Sequence, residues 1–188
     1  MGRIKIKPYT ALFPCPVILV SCIDESGNPN IITLAWAGNI CSNPPQIGIS
    51  IRPNRYSYQL IKESGEFVVN IPGEKIIQQT DYCGIVSGKN VNKFQECDFT
   101  PEDSEIIKAP LIKECPVNIE CSVRKIVPLG THDLFIAEVL NVLIDKEYVD
   151  SKGNYPDYEK IVPFTYCPQN YLSSGKKLGF YGFSKKIK

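Results

Sequence analysis

Ser50, Arg52, Ser57 and Tyr58 place two small hydroxyls, a phenol and a guanidinium within nine residues. Arginine carries a rigid fork of donors that matches phosphate. The first turn of a helix adds free backbone N–H groups that attract anions. Together these residues can hold one phosphate. A solvated strand face followed by an ordinary helix cap is the plainer alternative. Three further groups of residues carry chemistry. Asn30-Ile-Ile-Thr33-Leu-Ala35-Trp36 is an apolar run with two polar side chains and the single tryptophan. Ser87-Gly-Lys-Asn-Val-Asn-Lys93-Phe94 sets lysines beside a turn. His132, the only histidine, follows Gly130-Thr131. Each also has a structural reading: a core tryptophan, a solvated lysine, a hydrogen-bonded loop histidine.

Several chemistries are excluded by residue type and spacing. One histidine rules out a two-histidine zinc motif within the chain. Gly84-Ile-Val-Ser-Gly88-Lys89-Asn90 is one residue short of a phosphate-binding P-loop and lacks its Ser or Thr. No GxGxxG follows a strand, and no GxSxG elbow occurs. The eight cysteines, Cys15, Cys22, Cys41, Cys83, Cys97, Cys115, Cys121 and Cys167, contain no CxxC pair. They read as free thiols of a cytoplasmic protein, mostly small buried hydrophobes. A cysteine–histidine thiol enzyme built on His132 stays open.

The elements that must position these residues follow from periodicity. Val17–Ile23 is a β-branched strand, and Asp24–Asn28 a turn. Asn30–Ala37 reads as the returning strand. Gln46–Arg52 alternates cleanly, with Ile47, Ile49 and Ile51 on one face and Gly48, Ser50 and Arg52 on the other. Arg55–Ser64 has helical spacing, with Gly65 placed as its C-terminal cap. Glu66–Ile71 is a strand, Glu74–Tyr82 a short helix, and 87–94 an ordered loop or short helix. Glu102–Pro110 is an acidic, proline-bounded surface excursion. Val117–Ile126 and Leu134–Ile144 are the longest strands. Ser151–Asn154 is a turn, and Tyr158–Tyr166 is one more strand. The pattern predicts a mainly β barrel or sandwich with short helices around it.

The chain has 188 residues, 21 basic and 20 acidic, with 43% apolar residues. That suits one domain over 1–188, with a Lys-rich tail at 175–188. The near-neutral charge argues against a duplex-DNA binder. Arg3, Lys5 and Lys7 before Ala11–Ile23 imitate a signal peptide, but Pro14 and Pro16 interrupt the run. We read it as a strand entering the core. No apolar run approaches the ~20 residues of a membrane helix.

Taken in order, the runs Pro14–Asp24, Asn30–Trp36, Cys41-Ser-Asn-Pro-Pro45, Ile49-Ser-Ile-Arg52 and Tyr56–Ile61 resemble the flavin reductase-like family. So do Phe67-Val-Val-Asn70, Asp81-Tyr-Cys-Gly84 with Ser87-Gly88, Lys93-Phe94 and Gly130–Ile136. The likeness spans about Leu12 to Phe183 and is strongest toward the flavoredoxin branch. It implies an FMN-binding split β-barrel of Greek-key type, forming a homodimer. It implies that Asn30, Thr33, Ala35 and Trp36 line the flavin. Ser50, Ile51 and Arg52 are expected beside flavin and phosphate, and Ser57 and Tyr58 at the phosphate turn. Asn70 is expected at a strand end facing the ring. Ser87, Lys93 and Phe94 are expected in a closing loop, and His132 near the ring as a catalytic contact. Lys93 or His132 is then the cation near the ring that raises its potential. The branch implies electron transfer with a protein partner or NAD(P)H-linked reduction. A non-catalytic flavin-binding or sensing role is the alternative.

Overall fold

The first hairpin is closed by its own side chains. In the computed structural model, Asp24 Oδ1 accepts from the backbone N–H groups of Ser26 (2.9 Å) and Asn28 (2.8 Å). Gly27 sits at φ 84°, a conformation that disfavours a Cβ. The described residues are 2–150, 152–153 and 155–186. Ser151 and Asn154 of the expected turn, and Ile187 and Lys188 of the tail, lie outside them.

In chain order the elements are β1 (Cys15–Pro16), β2 (Ile18–Ile23), β3 (Pro29–Leu34), β4 (Ala37–Ser42), β5 (Pro45–Ile51), α1 (Tyr56–Ser64), β6 (Glu66–Ile71), α2 (Ile77–Ile85) and α3 (Lys93–Glu96). They continue with β7 (Pro101–Glu102), β8 (Leu111–Ile112), β9 (Val117–Pro128), β10 (Asp133–Ile144), α4 (Tyr158–Ile161), β11 (Phe164–Cys167) and β12 (Asn170–Ser173). Seven strands form one antiparallel sheet in the order β3-β2-β6-β9-β10-β5-β4. β1, β11 and β12 make a small second sheet. The architecture is mainly β with short peripheral helices, as expected. No helix among the described residues is long and apolar enough to cross a membrane.

Alternation in the strands builds two main cores, beside a small third cluster of Val68, Ala109 and Leu111. Ile18, Val20 and Cys22 of β2 join Ile32, Ile49, Ile51, Phe67, Cys121 and Phe135 in the first, capped by Tyr58, Leu60 and Ile61 of α1. Leu19 and Ile31 point to the opposite face, against Cys83, Phe94, Cys97 and Phe99. β2 and β3 are therefore apolar on both faces. Fully buried side chains such as Phe67 and Phe135 contribute ~1.5–3 kcal/mol each. Gly65 takes the left-handed cap of α1 at φ 70°, as its sequence position predicts.

Two strand expectations are corrected. Asn30–Ala37 is not one strand. β3 stops at Leu34, and Ala37 begins β4 at the opposite edge of the sheet. The open edges β3 and β4 are thus consecutive in the chain, and Ala35–Trp36 spans the seam between them. Ser50 N–H donates to Trp36 O at 2.9 Å and holds that crossing. Tyr158–Tyr166 is likewise not one strand. Asp157 caps Glu159 and Lys160 and starts α4. Val162 then turns at φ 49° into β11.

Candidate functional site

A cleft of about 390 Å³ opens at the seam, lined by Thr33, Ala35, Trp36, Ser50, Arg55 and His132. Its volume suits a small molecule. Beside it lies a tighter chamber of about 150 Å³, lined by Asn30, Arg55, Ser57, Ser87, Gly88 and Lys93. Arg55, the residue before α1, lines both and joins them.

Two cationic side chains, Arg55 and Lys93, line the chamber. Lys93 is buried, and its Nζ donates to Ile31 O and Cys83 O, each at 2.7 Å. Among the described residues no carboxylate pairs with Lys93 or Arg55. Burial pulls the lysine below its usual pKa, and the Arg55 charge adds to that. A buried ammonium without a counter-charge is costly unless a ligand supplies one. Asn30 is unsatisfied in the same place. Its Nδ2 donates to Ser57 Oγ at 2.7 Å, while its buried Oδ1 has no partner. That oxygen calls for a donor such as a ligand hydroxyl. Gly88 packs against this oxygen: a Cβ there would collide with Asn30 Oδ1.

Two aromatic rings stand together on the cleft wall. Trp36 leans on His132, ring centroids 4.5 Å apart and planes tilted by 40°. Arg52 Nε donates to His132 Nε2 at 3.3 Å, and Nδ1 lies 3.0 Å from Thr131 Oγ1. Arginine cannot give up its proton, so Nε2 must be the bare nitrogen and Nδ1–H the donor to Thr131. Desolvation, then the charges of Arg52 and Arg55, hold His132 below its ordinary pKa. His132 is therefore neutral near pH 7. The charged side chains that act on His132 are the two arginines.

The structure brings Asn30, Ser57, Ser87 and Lys93 to the chamber, and Thr33, Ala35, Trp36, Ser50 and His132 to the cleft. It moves the others. Arg52 lines neither space and reaches the site through His132. Tyr58 turns inward, its hydroxyl donating to Asp133 Oδ2 at 2.7 Å. Ile51 and Phe94 are core residues; of β5 it is Ser50 that lines the cleft. Asn70 is fully buried away from both spaces. Its Nδ2 donates to Ser21 Oγ (2.9 Å), and its Oδ1 accepts from Ile112 N–H (3.0 Å) and Asn118 Nδ2 (2.8 Å). It ties the 110–112 chain to the sheet. Sequence reasoning missed Arg55, Tyr56, Gly84 and Gly88. The signal for Arg55 was its place at the helix start.

Other thiol chemistry finds no support. No cysteine among the described residues hydrogen-bonds His132, whose two ring nitrogens are engaged. Desolvation pushes Cys22, Cys83 and Cys121 up to about 12, which leaves them as unreactive thiols.

An open, curled antiparallel sheet with a small-molecule cleft at its seam defines a split-barrel ligand-binding protein. The chain belongs to the flavin reductase-like domain family, whose pattern matches residues 10–173. It is similar to flavoredoxin of Desulfovibrio vulgaris (Miyazaki F), with 33% identity, TM-score 0.91, and coverage of 98% of this chain and 100% of that one. Flavoredoxin from Methanosarcina acetivorans is 31% identical with TM-score 0.91, covering 100% of this chain and 99% of that one. A protein of Archaeoglobus fulgidus is 36% identical over 135 residues, 72% of this chain and 75% of its own.

Proposed function

We propose that the protein is an FMN-holding flavoprotein of flavoredoxin type, an electron carrier or NAD(P)H-linked reductase. The observation that carries this reading is the buried, unpaired Lys93 ammonium facing a chamber that opens toward an aromatic cleft. A phosphate monoester answers the Lys93 and Arg55 charges and accepts from Ser57 and Ser87. A ribityl hydroxyl answers Asn30 Oδ1. The ring system fills the seam against Trp36, Thr33 and Ala35. Bound there, FMN supplies the electron and hydride chemistry, while the protein sets orientation, potential and access. Arg55 holds positive charge where the two spaces meet, and Arg52 stands behind His132. Neutral His132 orients Arg52 and shields the ring from water. Arg55 places the cofactor's two ends in register because it borders both spaces.

We further propose that the molecule works as a homodimer, since an apolar groove lined by Leu12, Trp36, Ile40 and Leu134 borders the cleft. The test is a titration of purified protein with FMN, followed by bleaching with NADH, NADPH or a reduced carrier protein. FMN binding with loss of its free fluorescence, weakened in Lys93→Met, is expected. Equal affinity of parent and Lys93→Met overturns the phosphate assignment. Binding without bleaching by any donor moves the protein to the non-catalytic class.

A further inference from the structure

The net charge of +1 hides a segregation along the chain. Residues 1–23 hold three basic residues and no acidic one, and residues 161–188 hold five lysines and no acidic one. The stretch between them holds 13 basic and 20 acidic residues. The fold brings the two basic ends to one small sheet. The arm before β1 and the tail after β12 leave from its outer strands, because β1 and β12 both pair with β11. They leave at opposite ends of β11, a strand of only four residues.

Neither segment has the composition of an ordinary solvated loop. Residues 2–14 are exposed and form no helix or strand. Arg3, Lys5 and Lys7 alternate there with Ile4 and Ile6, and Tyr9 follows; all three apolar side chains are exposed. Extended backbone sends alternate side chains to opposite faces, so the cations and the isoleucines separate. In the tail, Lys176, Lys177 and Lys185 flank Leu178, Phe180, Tyr181 and Phe183, and all of these are exposed. Phe180 and Phe183 pack edge-on, 6.2 Å between centroids. That knuckle depends on glycine: a Cβ on Gly179 would stand 3.0 Å from the Phe183 ring, and Gly182 takes φ 85°. Among the described residues, no carboxylate pairs with a lysine or arginine of either segment.

We propose that the two chain ends form a surface that docks on an anionic lipid bilayer. The protein lies on the membrane and does not span it. The lysines and the arginine meet the lipid phosphates, and the isoleucines and aromatic rings enter the headgroup boundary. A fluid headgroup layer demands no complementary shape, which suits two segments with little structure of their own. An acidic protein face answers the charges alone, whereas a bilayer interface answers charge and apolar surface together. The flavin reading is not needed for this docking.

Sedimentation of the purified full-length protein with phosphatidylcholine vesicles, with and without phosphatidylglycerol, tests this. The parent is expected to sediment with the anionic vesicles and to stay in solution with the neutral ones. Lys176→Gln combined with Lys177→Gln is expected to weaken the partition by roughly 25-fold, at about fivefold for each basic residue near an anionic surface. Tyr181→Ser is expected to weaken it while leaving its salt dependence intact. All three positions are exposed and outside the flavin site, so melting and FMN affinity stay as in the parent. A parent that ignores anionic vesicles, or binds neutral ones equally well, overturns the proposal. So does an unchanged partition in the double lysine variant. If the parent ignores the vesicles but is retained on immobilised polyglutamate, the basic ends serve an acidic protein and the membrane assignment falls.

Discussion

Ser57 and Tyr58 are neighbours on one helix, yet only Ser57 reaches the chamber. Successive helical residues point about 100° apart, so one can face a ligand while the next faces the core. The same geometry explains why Phe94 is buried beside Lys93. Residue type and the family resemblance pointed to these local runs, but the direction of each side chain was decided by packing. Lys93 is the residue whose placement says most. Lys93→Met is expected to weaken FMN binding by about 1.5–3 kcal/mol, the worth of a charged hydrogen bond. Fluorescence titration reads this directly. Gly88→Ala is expected to weaken FMN binding as well, because its Cβ would collide with Asn30 Oδ1. Unaltered melting with lost affinity is the expected signature. His132 gives a third prediction. Its folded pKa is lowered, so the neutral form is favoured by folding, and the stability tied to it is lost as pH falls through the depressed value. Protonation also removes the acceptor for Arg52. As the only histidine, it gives one set of imidazole signals in an NMR titration. The inflection is expected below ~6.5, the reference value. An inflection at or above that value would show that Arg52 does not face Nε2.

At the scale of elements, the sequence showed the 102–110 excursion and the strands beneath it, but not what joins them. Two carboxylates do. Glu120 of β9, fully buried, accepts from Glu105 N–H (3.1 Å) and Asn141 Nδ2 (3.0 Å) on Oε1, and from Ile106 (2.8 Å) and Ile107 (3.1 Å) N–H on Oε2. Glu66 of β6 accepts from Lys108 (2.7 Å) and Ala109 (3.2 Å) N–H. A glutamate in a strand looks like a solvated charge in the sequence, because its partners are backbone groups forty residues away or on another element. The missed β3–β4 break has a similar origin. Asn30–Ala37 is continuously strand-like, and only the pairing of Ala37 with Ile49 shows that the chain has crossed to the other edge. Glu120→Gln is expected to cost about 2 kcal/mol at pH 7, since the amide cannot accept on both sides. Burial alone would raise the carboxyl's pKa, but the N–H groups outweigh it and the net direction is down. Its stabilisation is therefore present above the unfolded value and lost as pH falls. Denaturant melts of parent and variant should converge once the pH falls below the ordinary glutamate range. A gap independent of pH would assign the cost to packing instead.

The whole molecule leaves apolar surface where its site lies. Trp36 is 41% exposed, Ile40 48%, Phe13 50% and Leu12 90%. β4 is an open sheet edge, with its residues from Gly38 to Ser42 exposed. The groove between them, about 460 Å³, shares Leu12, Ala35, Trp36 and Ser50 with the cleft proposed for the flavin ring. A patch of this kind marks an interaction site, and an unprotected strand edge is a liability that proteins cover. A second copy of the chain is the occupant we propose. A two-fold contact through this patch covers both edges at once and brings each subunit against the other's cleft. None of this was visible in periodicity; the family resemblance implied a dimer, and the exposed seam is the physical reason for proposing one. Ile40→Glu places an unpaired charge in the groove without touching the core, so the fold should tolerate it. Light scattering of the parent at micromolar concentration should give twice the 21.1 kDa chain mass, and the variant a single chain mass. Because the groove and the cleft share a wall, the variant should also bind FMN more weakly while melting independently of protein concentration. A monomeric parent would refute the assembly and leave Trp36 as the outer wall of the cleft.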